Sequence, residues 1–363
     1  MTGADSRNKY WSGKVVVITG ASAGIGRATA HRFARSGASL ALLARDAASL
    51  EDTKTEIEEL GGSAMVITAD VANADAVFAA AREIEASVGP IDVWINNAML
   101  TVFSPVHDMT PDEFRRVTEV TYLGFVYGTM AALRHMRPRG RGTIVQVGSS
   151  LAYRGIPLQA AYCGAKHAVR GFTDSLRAEL LHDRSSIRLT IVQLPAVNTP
   201  QFDWARTHMS HEPRPVPPVV QPEVAAEVIF EAARHPRREF WLGLSTAKVI
   251  LGNMIAPGFV DRYLARRGYD AQATERGVPA GRKDNLIAPV SNLHRTRGSF
   301  GEEAQNSARV LSGQSARLGV AILGVGLAVA AGFAASRSLR IASRRRLRPA
   351  VFEASTQDNC SSS

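Results

Sequence analysis

The chain has 363 residues, 45% of them hydrophobic and 21% charged, so it is long and apolar enough to bury a large core. Its two cysteines, Cys163 and Cys360, exclude a disulfide framework, and no spacing of ligand residues predicts a metal site. The net charge of +10 is concentrated in residues 261–363, with 16 Lys/Arg against 8 Asp/Glu, which argues against nucleic-acid binding by the whole molecule.

From residue 14 onward, short apolar runs alternate with longer amphipathic stretches. The apolar runs predict strands at residues 14–19, 38–44, 63–68, 91–96, 142–148, 187–194 and 238–243. The stretches between them predict helices at 26–37, 47–62, 73–88, 111–136, 160–182 and 222–235. Continuous apolar strands separated by helices are typical of a parallel sheet covered on both faces. The predicted fold class is therefore α/β, a doubly wound, Rossmann-like sheet that binds ligands at the carboxyl ends of its strands.

The β/α alternation stops near residue 245. Before that point, residues 211–223 hold five prolines and are expected to form a loop or lid. After it, residues 270–310 are polar and rich in glycine, which favours a flexible linker. We divide the chain at these changes, with the following boundaries: 1–245, the main Rossmann domain; 246–317, a C-terminal extension and linker; 318–335, an apolar helix; and 336–363, a basic tail.

The apolar helix at 318–335 has 18 uncharged residues, and six arginines follow at 337–348. Its length of about 27 Å is at the short end for a membrane span. The first residues lack an apolar signal segment, so we expect a cytoplasmic protein. We predict membrane association through this helix. It either spans the bilayer or lies in its interface with the arginines on anionic lipid, and the alternative is a helix buried in the protein.

A glycine-rich turn joins the first predicted strand to the first helix. In TGASAGIG (19–26), Gly20, Gly24 and Gly26 fall at the junction where backbone can approach a pyrophosphate at a helix N-terminus. Further along, Tyr162 and Lys166 stand one helical turn apart and share a helix face. Alone, such a pair is usually a solvated surface, so its meaning depends on the neighbouring motifs.

Taken in order over about residues 12–245, these motifs resemble those of the short-chain dehydrogenase/reductase family. TGASAGIG is similar to the family's cofactor turn, NNA (96–98) to its Asn-Asn-Ala-Gly stretch, and LPAVNTP (194–200) to the segment that closes over the nicotinamide. Ser149 lies 13 residues before Tyr162, which is the family's spacing. The resemblance implies a nicotinamide dinucleotide, for which the predicted binding residues are Gly20, Ser22, Gly24, Ile25, Gly26, Arg45, Asp70, Val71, Asn97, Ala98, Tyr162, Lys166, Pro195, Val197 and Thr199.

The resemblance also implies the catalytic roles. Ser149 would hold the substrate carbonyl, Tyr162 would transfer a proton, and Lys166 would hold the nicotinamide ribose. A nearby ammonium favours the phenolate form of a tyrosine, which gives the one-turn spacing a physical reason. Thr121 stands where the family usually has an asparagine that supports a water-linked proton relay. We expect a working relay of altered geometry at Thr121.

The end of the second strand predicts which cofactor is used. The sequence there is Ala44 followed by Arg45, so no carboxylate is available for a ribose hydroxyl, and a guanidinium can pair with a phosphate. We predict NADP(H) rather than NAD(H). Asp46 raises doubt, but its position one residue later is typical of a residue that begins the next helix.

These observations predict an oxidoreductase that exchanges hydride between NADP(H) and a hydrophobic carbonyl or alcohol. The alternatives are a non-catalytic NADP(H)-binding sensor or scaffold at a membrane, and nucleic-acid binding by the arginine-rich tail. The resemblance also suggests a homo-oligomer. The side chains expected to form the largely apolar substrate pocket are Phe103, Leu151, Tyr153, Pro157, Leu194, Val197, Phe202 and Trp204.

Overall fold

An eight-stranded sheet organises the fold. The structure, a computed structural model, describes residues 10–319. In chain order the strands are β1 (Val15–Thr19), β2 (Ser39–Ala44), β3 (Ser63–Thr68), β4 (Ile91–Asn96), β5 (Thr143–Ser149), β6 (Arg188–Leu194), β7 (Glu239–Leu242) and β8 (Val310–Ser312). Across the sheet they run β8-β7-β6-β5-β4-β1-β2-β3. All neighbours are parallel except β8, which runs antiparallel to β7. The predicted doubly wound parallel sheet is confirmed.

Helices cover both faces of this sheet. They are α1 (Gly24–Ala34), α2 (Ala47–Glu59), α3 (Ala74–Ser87), α4 (Pro111–Thr118), α5 (Gly124–Arg139), α6 (Ala160–His182), α7 (Pro222–Arg234), α8 (Gly243–Ile255) and α9 (Pro257–Arg267). One core contains Phe33 of α1 and Phe230 of α7, and a second core on the other face contains Ile84 of α3 and Leu176 of α6. Asp46 begins α2 by accepting a hydrogen bond from the backbone N–H of Ser49, as its position predicted.

Strand order reverses between β1 and β4, which lie side by side although β2 and β3 separate them in sequence. In sheets of this kind, the carboxyl edge at such a reversal is where a ligand binds. A single turn of π-helix, Glu119–Leu123, separates α4 from α5 inside the stretch predicted as one helix. Turns of this type often mark functional sites.

The C-terminal extension is part of the fold rather than a flexible linker. Ala273–Gly277 pairs antiparallel with His211–Pro213, inside the proline-rich stretch. Ala304–Gln305 pairs parallel with Val219–Val220, and β8 completes the sheet. These bonds join backbone groups that are far apart in sequence, so the polar composition of residues 270–310 gave no periodic pattern from which to predict them.

The chain forms one compact unit through Gly313, and a second unit begins at Gln314. Within residues 10–319, no helix combines the length and apolar character needed to cross a bilayer. The apolar stretch 318–335 lies outside the described residues except for its first two positions. Membrane association therefore stays a prediction.

Candidate active site

The turn between β1 and α1 exposes bare backbone at the carboxyl edge of the sheet. Gly20 has a φ of +67° and Gly24 a φ of +55°, a region that favours glycine. A Cβ on Gly26 would lie 2.1 Å from the Gly20 carbonyl oxygen, so a larger residue would force the turn apart. The Asn97 amide donates to the carbonyl oxygens of Thr19 (3.0 Å) and Gly20 (3.2 Å) and ties the turn to the end of β4. Such a turn suits the close approach of a pyrophosphate.

A residue missed in the sequence, Thr19, completes this support. Its hydroxyl oxygen accepts hydrogen bonds from the backbone N–H groups of Asn97 (2.9 Å) and Ala98 (3.1 Å). In the sequence, Thr19 is simply the last residue of an apolar strand. No local pattern reveals that its hydroxyl holds a segment almost eighty residues away.

A cavity of about 630 Å³ lies against the glycine turn. All the predicted catalytic and cofactor-binding residues line it except Gly26 and Thr121. Gly26 packs directly behind the turn, against Gly20. Residues predicted from separate motifs are thus brought together around one space large enough for small-molecule ligands.

Ser149 and Tyr162 meet inside this cavity. Ser149 ends β5, and its hydroxyl oxygen accepts from the backbone N–H of Leu151 at 3.1 Å. Burial raises the pKa of the Tyr162 phenol above its ordinary value, and a side-chain hydrogen bond with Ser149 opposes that effect. The phenol therefore holds its proton firmly when only protein surrounds it.

Lys166 lies one helical turn from Tyr162, as the sequence predicted, and is only 2% exposed. Its Nζ donates to the Val147 carbonyl oxygen at 2.8 Å and lies 4.4 Å from the ring centroid of Phe125. The Tyr162 ring centroid is 5.6 Å away. Burial lowers the pKa of Lys166 to about 7. In this arrangement burial, and not the ammonium charge, dominates the pKa of Tyr162, contrary to the expected effect of the lysine.

Thr121 is placed differently from the expectation. Its hydroxyl accepts from the backbone N–H of Leu100 (2.9 Å) and donates to the Leu100 carbonyl oxygen (2.9 Å). The side chain is fully buried and does not line the cavity. The hydroxyl proton is already donated, so the geometry gives no support to a proton relay through this side chain. Thr121 instead fastens the π-helical turn to the chain that follows β4.

We expect Thr121→Val to lower the free energy of unfolding by about 1–3 kcal/mol, because both backbone groups of Leu100 lose a buried partner. Turnover per folded molecule should be retained. Urea denaturation and steady-state kinetics measure the two effects. Thr118→Val, in the last turn of α4, where the hydroxyl donates to the Phe114 carbonyl oxygen of the same helix, is the matched control and should change stability by less than about 0.5 kcal/mol. Lost turnover at unchanged stability would restore the relay interpretation.

Arg45 and Asp70 line the end of the cavity near β2 and β3, and both already have protein partners. The Arg45 guanidinium donates to three carbonyl oxygens, those of Asn285 (2.5 Å), Leu286 (3.3 Å) and Ile287 (2.8 Å). The Asp70 carboxylate pairs with Arg116 and accepts from the backbone N–H of Ala72 at 3.0 Å. The carbonyl partners of Arg45 carry no net charge, and the Asp70 carboxylate that acts on it is shared with Arg116, so one net positive charge remains there.

Residues 284–298, which we call the cofactor-side strap, lie over this end of the cavity. The backbone N–H of Gly24, in the glycine turn, donates to the Arg295 carbonyl oxygen at 3.0 Å. The strap also contributes Asn285, Pro289, Val290 and His294 to the cavity wall. The polar, glycine-rich composition of these residues predicted a linker and gave no sign of this placement.

The remaining wall of the cavity is largely apolar. Six of the eight predicted pocket residues line it, whereas Tyr153 and Pro157 do not. The Tyr153 hydroxyl instead donates to Glu239 at 2.6 Å. Helices α8 and α9, which the sequence analysis left unassigned, add Lys248, Val249, Tyr263, Leu264 and Arg267. Among residues 10–319 there is no cluster of His, Cys, Asp or Glu that could hold a metal ion.

Comparison with known proteins places this geometry in a family. Residues 14–209 match the family model described as short chain dehydrogenase. An uncharacterized oxidoreductase of Bacillus subtilis strain 168, YxnA, is 33% identical over 265 residues, covering 72% of this chain and 74% of the relative. A fatty acyl-CoA reductase of Acinetobacter baylyi is 33% identical over 229 residues, covering 62% of this chain and 75% of that protein.

A solved structure agrees with the sequence relatives. A metagenomic short-chain oxidoreductase in complex with NADP aligns with a TM-score of 0.53 at 28% identity, covering 63% of this chain and 96% of the other. The family match spans β1 to β6 and includes the glycine turn, Ser149, Tyr162 and Lys166. The chain is an oxidoreductase that belongs to the short-chain dehydrogenase/reductase family.

Proposed function

We propose that the chain uses NADP(H) to interconvert a hydrophobic carbonyl compound and its alcohol, with Tyr162 as the proton-transferring residue. The observation that carries this proposal is one cavity in which the glycine turn, Ser149, Tyr162 and Lys166 meet. The apolar wall on the far side leaves room for a substrate beside the cofactor end.

The residues present fit a nicotinamide dinucleotide. A side chain at Gly26 would collide with the turn, and the positive φ angles of Gly20 and Gly24 keep backbone open toward the cavity. Arg45 supplies a positive charge at the opposite end. When bound, the nicotinamide supplies or accepts the hydride at the substrate carbon. The protein binds and orients the reactants and moves the proton.

The proton step follows from the two shifted side chains. In reduction, Tyr162 donates its proton to the carbonyl oxygen as negative charge develops there, and the Ser149 hydroxyl orients that oxygen. In oxidation, Tyr162 must be a phenolate before it can accept the proton, and its raised pKa disfavours that form unless positive charge lies nearby. Lys166 supplies that charge when protonated, and its pKa of about 7 lets it gain or lose a proton near neutrality.

A carbonyl screen tests the activity directly. Absorbance of NADPH is followed with long-chain aldehydes, steroid-like ketones, aromatic aldehydes and small polar aldehydes. We include long-chain substrates because one relative is named a fatty acyl-CoA reductase and the cavity wall is apolar. Turnover of apolar carbonyls in preference to polar ones supports the proposal. Cofactor binding without turnover anywhere in the panel would favour the non-catalytic alternative.

Arg45 tests the cofactor preference. We expect Arg45→Ala to weaken NADP⁺ binding by about tenfold or more, because a charge-assisted contact to the phosphate is lost, and to change NAD⁺ binding far less. Calorimetric titration with both dinucleotides measures the ratio. Arg45→Lys keeps the charge and is the matched control, expected to lose less NADP⁺ affinity. An equal loss for the two cofactors would assign Arg45 only to anchoring the strap.

A further inference from the structure

His294 of the cofactor-side strap is a buried imidazole whose ring nitrogens make no well-formed hydrogen bond within the described part of the chain. Its side chain is 8% exposed, and neither Nδ1 nor Nε2 makes a hydrogen bond of normal geometry to any group in residues 10–319. Buried polar groups are almost always paired, because leaving one unpaired costs free energy. The ring also forms part of the cavity wall. A group that enters the cavity can therefore satisfy this imidazole.

The ring is held in place from several sides. Arg27 of α1 donates to the His294 carbonyl oxygen at 3.2 Å, and the next residue, Arg295, accepts from the Gly24 backbone N–H. The ring centroid lies 5.0 Å from that of Trp204. Because backbone and ring are both fixed, the two nitrogens are presented at a defined position beside the glycine turn.

Three charged side chains act on the ring, those of Arg27, Asp46 and Arg45, and two of them have a charged or polar side-chain partner. Arg27 pairs with both carboxylate oxygens of Glu56. Asp46 lies 3.9 Å from Nε2 through one oxygen, while its other oxygen accepts from Ser49. Arg45 is the exception, since its hydrogen-bond partners are neutral carbonyl groups and the Asp70 carboxylate that acts on it is already paired with Arg116.

Nearby, Asp203 is engaged by Arg295 and Ser299 of the C-terminal chain. Arg45 and Arg116 share the single Asp70 carboxylate, so one net positive charge remains at this end of the cavity. Arg45 and the His294 imidazole line the cavity together with Ser22 of the glycine turn. This combination is suited to an oxygen-rich anion.

We propose that His294 and Arg45 together bind a phosphate monoester dianion, the 2′-phosphate of NADP(H). The proposal rests on the proposed NADP(H) preference and adds to it a residue from the far C-terminal part of the fold. The imidazolium donates to a phosphate oxygen, and Arg45 contributes the second positive charge. NAD(H) lacks this phosphate and leaves the imidazole unpaired. His294 is thus a residue that determines cofactor specificity.

This arrangement predicts proton uptake. Without ligand, burial lowers the pKa of His294 below 6.5, aided by the charges of Arg27 and Arg45 and opposed by the Asp46 carboxylate and the Ser22 carbonyl. A bound dianion favours the charged ring and raises that pKa. The added affinity is complete below the pKa of the free protein and is lost as pH rises through the pKa of the complex. At pH values between these two pKa values, the protein takes up a proton when NADP⁺ binds.

The experiment is calorimetric titration of the full chain with NADP⁺ and with NAD⁺ at pH 7, in buffers of different ionisation enthalpy. We expect proton uptake with NADP⁺ but not with NAD⁺. His294→Phe keeps a ring beside Trp204 and should weaken NADP⁺ binding by about tenfold while changing NAD⁺ binding less than about threefold. His294→Lys should retain NADP⁺ affinity without the proton uptake. His182→Phe, on the exposed end of α6, is the control.

Three results would overturn the inference. If the unchanged protein binds both dinucleotides equally, the NADP(H) preference itself fails, and the role of His294 fails with it. If the preference is present but His294→Phe leaves the ratio unchanged, only the role of His294 fails. If His294→Phe does not fold, the unchanged protein decides the question. Should it take up no proton when NADP⁺ binds, the proposed role of His294 is wrong.

Discussion

Tyr162→Phe is expected to lower carbonyl turnover by about 10²- to 10⁴-fold, the usual contribution of a positioned acid or base. The change removes one oxygen atom and the proton that it would transfer, while the aromatic ring stays in the cavity wall beside Lys166. Cofactor affinity should change by less than about threefold, because only one hydroxyl is lost. Single-turnover oxidation of NADPH measures the chemical step, and fluorescence titration measures binding.

Tyr153→Phe is the matched control for this substitution. It also removes a tyrosine hydroxyl from the C-terminal end of the sheet, but that hydroxyl donates to Glu239 and does not line the cavity. We expect unchanged turnover and a loss of about 1 kcal/mol in unfolding free energy. A Tyr162→Phe protein that oxidises NADPH with a carbonyl substrate as fast as the unchanged protein would refute the proton-transfer role.

The elements that the sequence predicts well are those whose signal is local. The seven predicted strands are continuous apolar runs, and all seven form strands of the main sheet. The glycine turn is equally local, because strand, glycines and helix follow one another within a dozen residues. Motif spacing then placed Ser149, Tyr162 and Lys166 in one cavity.

The features that sequence reasoning missed depend on pairing across long separations. The strap lies on the cofactor end through bonds from side chains such as Arg45 to its backbone carbonyls, and backbone groups carry no residue-type signal. His294 stands about 250 residues from Arg45, within polar sequence typical of a loop. The hydroxyl of Thr121 was expected to support a proton relay because of the residue's position in the family motif, yet within the π-helical turn it bonds to the backbone of Leu100.

The two shifted pKa values show a tension between stability and function. Burial keeps Tyr162 protonated and disfavours the charged form of Lys166. A site that is ready to exchange protons therefore lowers the stability of the folded protein. Removing such a residue commonly raises stability while it abolishes activity. Lys166 is the residue at which this trade-off between stability and activity can be measured. Its side chain is almost fully buried, and burial lowers its pKa without an acidic side chain to oppose the effect.

Lys166→Met is expected to be more stable than the unchanged protein at pH 6, by roughly 4 kcal/mol, and to lose turnover. Each unit of pKa shift is worth about 1.4 kcal/mol of unfolding free energy. The substitution also removes the 2.8 Å hydrogen bond to the Val147 carbonyl oxygen, which reduces the gain in stability by about 1 kcal/mol. The native pKa is about 7 and the ordinary value 10.5, so the unfolded chain binds more protons between these two values. The destabilisation by Lys166 is complete below pH 7 and disappears as pH rises toward 10.5.

The difference in unfolding free energy between Lys166→Met and the unchanged protein should therefore fall steadily from pH 7 to pH 10. Urea denaturation at several pH values measures it, and the contributions of all other titrating groups cancel in the difference. Lys54→Met, on the outer face of α2, should give a difference that varies little with pH, because that ammonium is solvated and its ion pairs at 3.7 and 4.0 Å are weak. A flat profile for Lys166→Met would mean that the buried amine is not held against its charge. In that case the cavity would not lower the pKa of Lys166, and its proposed exchange of protons near neutrality would have no basis.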